Sequence, residues 1–202
     1  DRTVTVGKTT YELPAFSFAI ATMNPVELGQ GTFPLSEAAT DRFAIMVNIG
    51  YLPPEEEQRL VNFDFKQVHL NKLMSKERIV HLRGVITREV FLHEKLGKYI
   101  RRLVGATRPY NEETDWLFHS PSDMVEQHVD LGASPRATIC WGRLVKVWAL
   151  LVHRRAEVYP EDVQDLAKYV LSHRIWLGPH ATSHGITSEQ VIEDIVAKVP
   201  IP

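Results

Sequence analysis

The sequence predicts a two-part chain, a small α/β piece over residues 1–52 followed by an all-α domain over residues 53–202. Three observations carry this. Alternating and continuous apolar runs suited to strands lie before residue 53. Pro53-Pro54-Glu55-Glu56-Glu57 then marks a helix start, where proline is tolerated and acids meet the positive end of the helix dipole. Beyond it, apolar residues recur at the helical period.

The bulk properties narrow the field. The chain has 202 residues, with 44% hydrophobic and 24% charged, an ordinary globular composition. Its net charge of −2 gives no reason to expect nucleic acid or an anionic membrane as the main partner. The single cysteine, Cys140, excludes an intrachain disulfide and a multi-cysteine zinc site, and fits a reducing cytoplasm. No apolar run reaches the roughly 18 residues of a membrane span, and the opening residues carry no signal-peptide pattern.

In chain order, Thr3-Val4-Thr5-Val6 and Thr10-Tyr11-Glu12-Leu13 flank Gly7-Lys8 and read as a β-hairpin. Phe16 to Ala21 is a short apolar run, the pattern of a strand buried on both faces of a parallel sheet. It stops at Asn24-Pro25, so a polar amide sits at the strand tip, where open α/β sheets bind ligands. A glycine loop, Gly29-Gln30-Gly31, leads to a helical turn over 36–41 with Ser36 as its N-cap. Arg42-Phe43 follows, and Ala44 to Ile49 reads as a second strand. After the Pro54 helix, Asn62 to Leu73 is ambiguous and Ser75 to Leu82 reads as a short helix. Thr87 is a candidate N-cap for a longer helix through Val90, Phe91, Ile100 and Leu103, ending near Gly105. Residues 106–130 are the least regular segment, with an acidic patch at 112–115 and an aromatic cluster at Trp116-Leu117-Phe118 that either packs on the helices or meets a partner.

Ser134-Pro135 starts the best-defined helix, whose core face reads as Cys140, Leu144, Val147, Trp148 and Leu151. Pro160-Glu161-Asp162 opens the next, with Val163, Leu166, Ala167, Val170 and Leu171 inward. Thr187-Ser188-Glu189-Gln190 is a capping box for a last helix with Val191, Ile195 and Val199 in its core.

Several words in this order and spacing identify a resemblance. Ala21-Thr22-Met23-Asn24-Pro25-Val26-Glu27, Gly31-Thr32-Phe33-Pro34-Leu35-Ser36-Glu37-Ala38 and Asp41-Arg42-Phe43 closely resemble the MoxR family of AAA+ ATPases. Gly132-Ala133-Ser134-Pro135-Arg136-Ala137 matches the family's second signature. Val158-Tyr159-Pro160-Glu161-Asp162-Val163 and Val170-Leu171-Ser172-His173-Arg174-Ile175 match its helical lid. The resemblance spans nearly the whole chain, departing in the longer link over 106–130. It implies that residues 1–52 are the C-terminal part of an AAA+ α/β core (hairpin, sensor-1 strand, arginine-finger helix, next strand) and that 53–202 are the lid. The hairpin either faces a central pore, as in related assemblies, or is simply solvated.

The resemblance also implies roles. Asn24 stands at the sensor-1 position, where an uncharged amide orients water or touches a terminal phosphate without repelling it. Arg42 is the candidate arginine finger, acting in trans on a neighbouring subunit's γ-phosphate, which implies a ring, a hexamer on family precedent. Its alternative is a surface salt bridge with Asp41 or Glu37. Arg136 is the candidate sensor 2, a lid arginine touching the ATP phosphate of its own subunit; a cation at a helix N-terminus breaks a local rule. Glu27 and Glu37 read as structural partners of Arg42 or supports for magnesium. His180 and His184 lack a third ligand, and no metal site is assigned to them.

No Gly-x-x-x-x-Gly-Lys-Ser/Thr phosphate loop and no strand ending in a magnesium-holding acidic pair occurs in the sequence. The chain therefore reads as the C-terminal portion of a longer ATPase that binds ATP and Mg2+ and remodels or matures client proteins, as a chaperone does. A protein with a von Willebrand factor A domain is the partner the resemblance suggests. Without phosphate loop and acidic pair, these residues alone are expected not to hydrolyse ATP. The competing reading is a non-catalytic helical interaction module derived from such a lid. DNA binding is disfavoured by the acidic balance and the lack of a basic recognition helix.

Overall fold

The computed structural model describes residues 3–23, 35–110 and 120–202, apart from the side chain of Thr182. Along the chain run β1 (Thr3–Val6), β2 (Thr9–Glu12), α1 (Glu37–Thr40), α2 (Pro54–Leu60), α3 (Lys76–Glu89), α4 (Glu94–Gly105), α5 (Asp123–His128), β3 (Val129–Leu131), α6 (Pro135–Leu151), α7 (Pro160–Leu171), β4 (Trp176–Leu177), α8 (Pro179–Ser183) and α9 (Ser188–Lys198). The architecture is that of a partial α/β core with a helical lid. Contacts group the chain into two units, residues 1–22 with 47–84, and residues 23–46 with 85–202.

In the first unit, β1 and β2 pair antiparallel from Thr3 opposite Glu12 to Val6 opposite Thr9. Gly7 opens the connecting turn at φ 63°, a left-handed conformation that glycine enters without steric cost. Pro54 occupies the first turn of α2, and Phe65–Gln67 forms a 3-10 turn in the stretch that the sequence left ambiguous. No described residue of this unit is buried. Phe18, Ile20, Ile49 and Tyr51 are all largely exposed.

Phe16 to Ala21 and Ala44 to Ile49 pair with no strand among the described residues. A doubly buried parallel strand takes its hydrogen bonds from neighbours on each side. The only described sheets are the β1–β2 hairpin and the β3–β4 pair, and neither offers such a neighbour.

The second unit holds the core. Tyr99, Ile100 and Leu103 of α4 share one core with Trp141 and Val145 of α6, Val163, Val170 and Leu171 of α7, and Val191 and Ile195 of α9, which packs on α7. Ser134 caps α6, its side chain accepting from Arg136 N at 3.1 Å, with Pro135 in the first turn. Thr187 and Gln190 complete the capping box of α9.

Three expectations are corrected here. α3 runs through Thr87 to Glu89, so Thr87 caps nothing; α4 begins only at Glu94, where the His93 ring accepts from Lys95 N at 3.2 Å. Val90 is buried ahead of that helix, and Phe91 bridges to Glu157. On α6 the fully buried stripe is Ala137, Trp141, Val145 and Ala149, and Leu151 is exposed. This stripe, at four-residue spacing, packs α6 against α4 and α7, and Leu144 and Trp148 pack at the margin.

Candidate functional site

The Asp41-Arg42-Phe43 word lies just after α1, in the unit that contains the core. Ser36 precedes the helix in an extended conformation, but its side chain makes no capping bond. Instead its carbonyl accepts from Ala39 N and Thr40 N, both at 2.9 Å. Such a short helix has almost no stability of its own. What holds it is its last residues.

Asp41 is the meeting point. Its Oδ2 accepts from Ser134 Oγ at 2.7 Å and from an Arg136 guanidinium N–H at 3.4 Å, and its Oδ1 accepts from Arg174 Nε at 3.0 Å. Burial alone would raise the Asp41 carboxyl, but the hydrogen bonds from Ser134, Arg174 and Arg136 outweigh it and hold the group below the ordinary aspartate value. Arg174 comes from the 3-10 turn that ends α7, and its side chain is 2% exposed. Every N–H of its guanidinium is used: beyond Asp41 Oδ1, it donates to the carbonyls of Asp41, Phe43, Ala44 and Val170. His173 Nε2 lies 3.1 Å from the Phe43 carbonyl oxygen. Burial, then the charge of Arg174, pushes His173 below the ordinary histidine value, so the neutral ring donates that bond.

Arg42 and Arg136 differ from Arg174 in kind. The Arg42 side chain is exposed and donates to the Ala38 carbonyl. Arg136, at the start of α6, is 57% exposed and held only by the long contact to Asp41. Of the two salt bridges weighed for Arg42, the carboxylate of Asp41 pairs instead with Arg174 and Arg136, and no ion pair joins Arg42 to Glu37 among the described residues.

Arg136 and Asp41 line a cavity of about 780 Å³, with Tyr110, Trp176, Glu37 and Arg108 on its other walls. Arg108 is placed by a backbone-close fit. A Cβ on Gly132 would stand 2.3 Å from the Thr107 carbonyl oxygen, so only glycine lets these strands of chain touch. Thr107 Oγ1 accepts from Ala133 N at 2.9 Å, and Arg108 Nε donates to the Ala133 carbonyl at 3.0 Å. Burial lowers the Arg108 guanidinium from its ordinary value.

Of the residues singled out in the sequence, Arg136 is brought by the fold onto Asp41, the residue before Arg42, while the Arg42 side chain turns to the Ala38 carbonyl. Asn24 and Glu27, like the aromatic cluster at 116–118, lie outside the described residues. Cys140 is half-buried, with its thiol pushed up by burial. His184 Nδ1 lies 2.8 Å from the His180 carbonyl oxygen, and no cluster of three or more acidic, histidine or cysteine side chains among the described residues could hold a metal. Sequence reasoning missed Arg174 and the shared role of Asp41. The signal was present in the word Ser172-His173-Arg174-Ile175, where a charged side chain follows directly on an apolar helix face.

Comparison with known proteins agrees with this layout. Residues 1–45 match the model of the ATPase family associated with various cellular activities, and residues 122–195 match the AAA lid domain. The chain is 34% identical over 202 residues to the uncharacterised protein YeaC of Bacillus subtilis, covering 98% of this chain and 57% of YeaC. It is 32% identical over 204 residues to the chaperone MoxR1 of Mycobacterium tuberculosis, covering 100% of this chain and 51% of that protein. The crystal structure of a candidate ATPase from Cytophaga hutchinsonii superposes with a TM-score of 0.81 at 37% identity, covering 100% of this chain and 59% of the other. The chain thus spans a little over half the length of the relatives it matches.

Proposed function

This chain belongs to the MoxR family of AAA+ ATPases, and from that premise we propose that it supplies the trans-acting and nucleotide-sensing arginines of an ATP-driven, chaperone-like remodelling ring. Residues 1–52 serve as the C-terminal part of the ATPase core and 53–202 as the lid. The observation that carries the reading is the exposure of Arg42 and Arg136, each tied within the chain through a single guanidinium nitrogen, Arg42 to the Ala38 carbonyl and Arg136 to the Asp41 carboxylate. A half-committed Arg136 on the wall of the cavity, and a half-committed Arg42 exposed to solvent, each suit an anion that arrives and leaves with each cycle.

The roles follow from charge. Arg42, presented across a subunit boundary, neutralises negative charge growing on a transferring phosphoryl group, an effect worth about 10³–10⁵ in rate. Arg136 exchanges its long contact to Asp41 for a nucleotide phosphate and so reports nucleotide state to α6. Asn24 orients the attacking water. Bound ATP with Mg2+ supplies the phosphoryl group and the metal that shields it; no described residue is assigned to the metal. The chaperone designation of MoxR1 supports client remodelling, and a von Willebrand factor A domain protein is the proposed partner. Among the described residues no helix is long and apolar enough to cross a membrane. A motor of this kind works where ATP is made available, so we place it in the cytoplasm, assembled as a ring, with six subunits proposed.

The test uses the polypeptide extended to the full length of its relatives. Asn24→Ala and Arg42→Ala should each lose most turnover, by at least ~10²-fold, while ATP binding is largely kept. Mixing Arg42→Ala subunits with subunits defective in the phosphate loop should restore part of the activity, because the finger acts in trans. Mixed rings no more active than the separate mutants would remove the trans assignment. The 202 residues by themselves should show no ATP turnover, and steady hydrolysis by the purified chain would contradict the reading.

A further inference from the structure

We propose that Arg174 is the positioning residue for the arginine finger, with His173 as its second arm. This rests on the reading of Arg42 as the finger and adds the residues that aim it. Arg174 grips the carbonyl of Asp41, immediately before Arg42, and the carbonyls of Phe43 and Ala44 beyond it. It also bonds the Asp41 carboxylate, and His173 takes the Phe43 carbonyl a second time. The backbone is fixed on both sides of Arg42 while the Arg42 side chain stays exposed.

No other described side chain holds the backbone on both sides of Arg42: Ser134 and Arg136 reach only the Asp41 carboxylate, and the Cys140 thiol only the Ala44 carbonyl. α1 is four residues long, with no side-chain bond at its cap, and the chain after Phe43 is irregular, tied by one backbone bond from Met46 N to Tyr169 O at 2.9 Å. A catalytic guanidinium misplaced by about 1 Å can lose about 10²-fold in rate, so the segment needs an external template. Arg174 has no N–H left for substrate and is buried, so it acts through Arg42 and touches no phosphate itself. The template stands on the turn after α7, so a movement of the lid helices is transmitted to the finger by hydrogen bonds.

Arg174→Lys separates charge from geometry. An ammonium still pairs with Asp41, but it lacks the planar fork that reaches several carbonyls at once. The first measurement is amide hydrogen exchange on the 202-residue chain. The amides of Arg42 and Phe43, bonded to Ala39 O and Thr40 O, and that of Met46 should exchange at least ~10-fold faster in the variant, with α6 and α7 protected as before. Unchanged exchange at these three amides would overturn the clamp. The second measurement uses the full-length polypeptide. Arg174→Lys should lower kcat by about 10-fold with KM for ATP within about twofold, and should cause no further loss in an Arg42→Ala background. A full additional loss in that background would show that Arg174 acts through something other than the finger, and would sink the proposal. If Arg174→Lys does not assemble, His173→Ala removes a single carbonyl bond and must show the same non-additivity with a smaller fall. Should Arg42→Ala leave turnover intact, the finger reading and this proposal fall together; normal exchange with a damaging Arg42→Ala defeats this proposal alone.

Discussion

Asp41 and His173 make the docking of the finger segment sensitive to acid, each with the same sign. For Asp41, burial raises the carboxyl but the bonds from Ser134, Arg174 and Arg136 win, so its folded value lies below the 3.8 of the unfolded chain. Its contribution is complete above 3.8 and is lost as the pH falls through the folded value. His173 is depressed from 6.5 by burial and by Arg174, so the unfolded chain takes up that proton first and stability begins to drop as the pH falls below 6.5. Urea unfolding should therefore show a decline between about pH 7 and pH 5 that His173→Gln flattens, with Asp41→Asn acting only on the more acid part. Asp41→Ala should cost about 3–5 kcal/mol, because it strands the buried Arg174 charge. Gly132→Ala, which drives a methyl into the Thr107 carbonyl, should cost about 1–3 kcal/mol and loosen Arg108 with it, measurable as a lowered urea midpoint. Arg42 and Arg136 stand out in the sequence as candidates because they sit inside family words; the Asp41–Arg174 pair does not, since its members lie far apart in sequence and local pattern says nothing about which distant carbonyls a guanidinium meets.

Helix starts were the most readable elements, because a start is a local event. Pro54, Ser134-Pro135, Pro160 and Thr187 each satisfy or dispense with orphan N–H groups by their own chemistry, and α2, α6, α7 and α9 begin there. Thr187→Ala should lower stability by about 1 kcal/mol through the lost cap of α9, seen as a shifted thermal midpoint with native far-ultraviolet dichroism. Helix lengths were less readable. α3 passes a threonine that could have capped a new helix, because nothing at Thr87 compels a break. The apolar runs at 16–21 and 44–49 failed as strands for a different reason: a strand is a relation between segments, and a sequence pattern supplies only one side of it. The stripe on α6 was misread by one position because apolar residues stand on two adjacent faces of this helix, Cys140, Leu144 and Trp148 beside Trp141, Val145 and Ala149, and the periodicity alone does not rank them.

For the molecule as a whole, burial is unevenly distributed. The described core lies entirely in the unit formed by 23–46 and 85–202, whereas the unit formed by 1–22 and 47–84 exposes Phe18, Ile20, Ile49, Tyr51, Phe65 and Leu73. Exposed apolar side chains beside unpaired backbone favour association. Light scattering on the purified chain should show dimers or larger species, and a monodisperse monomer with strong amide protection at 16–21 would contradict this. Removing residues 1–52 should not yield a clean lid, because it also strips Asp41 to Ala44 from Arg174 and leaves that guanidinium with the Val170 carbonyl alone of its five acceptors. The same partition bears on how such proteins can be recombined. A chimera joined at residue 53 would marry the Arg174 of one parent to the Asp-Arg-Phe segment of another, and a graft that carries residues 35–46 along with the helices would keep aim and lid as a single heritable part.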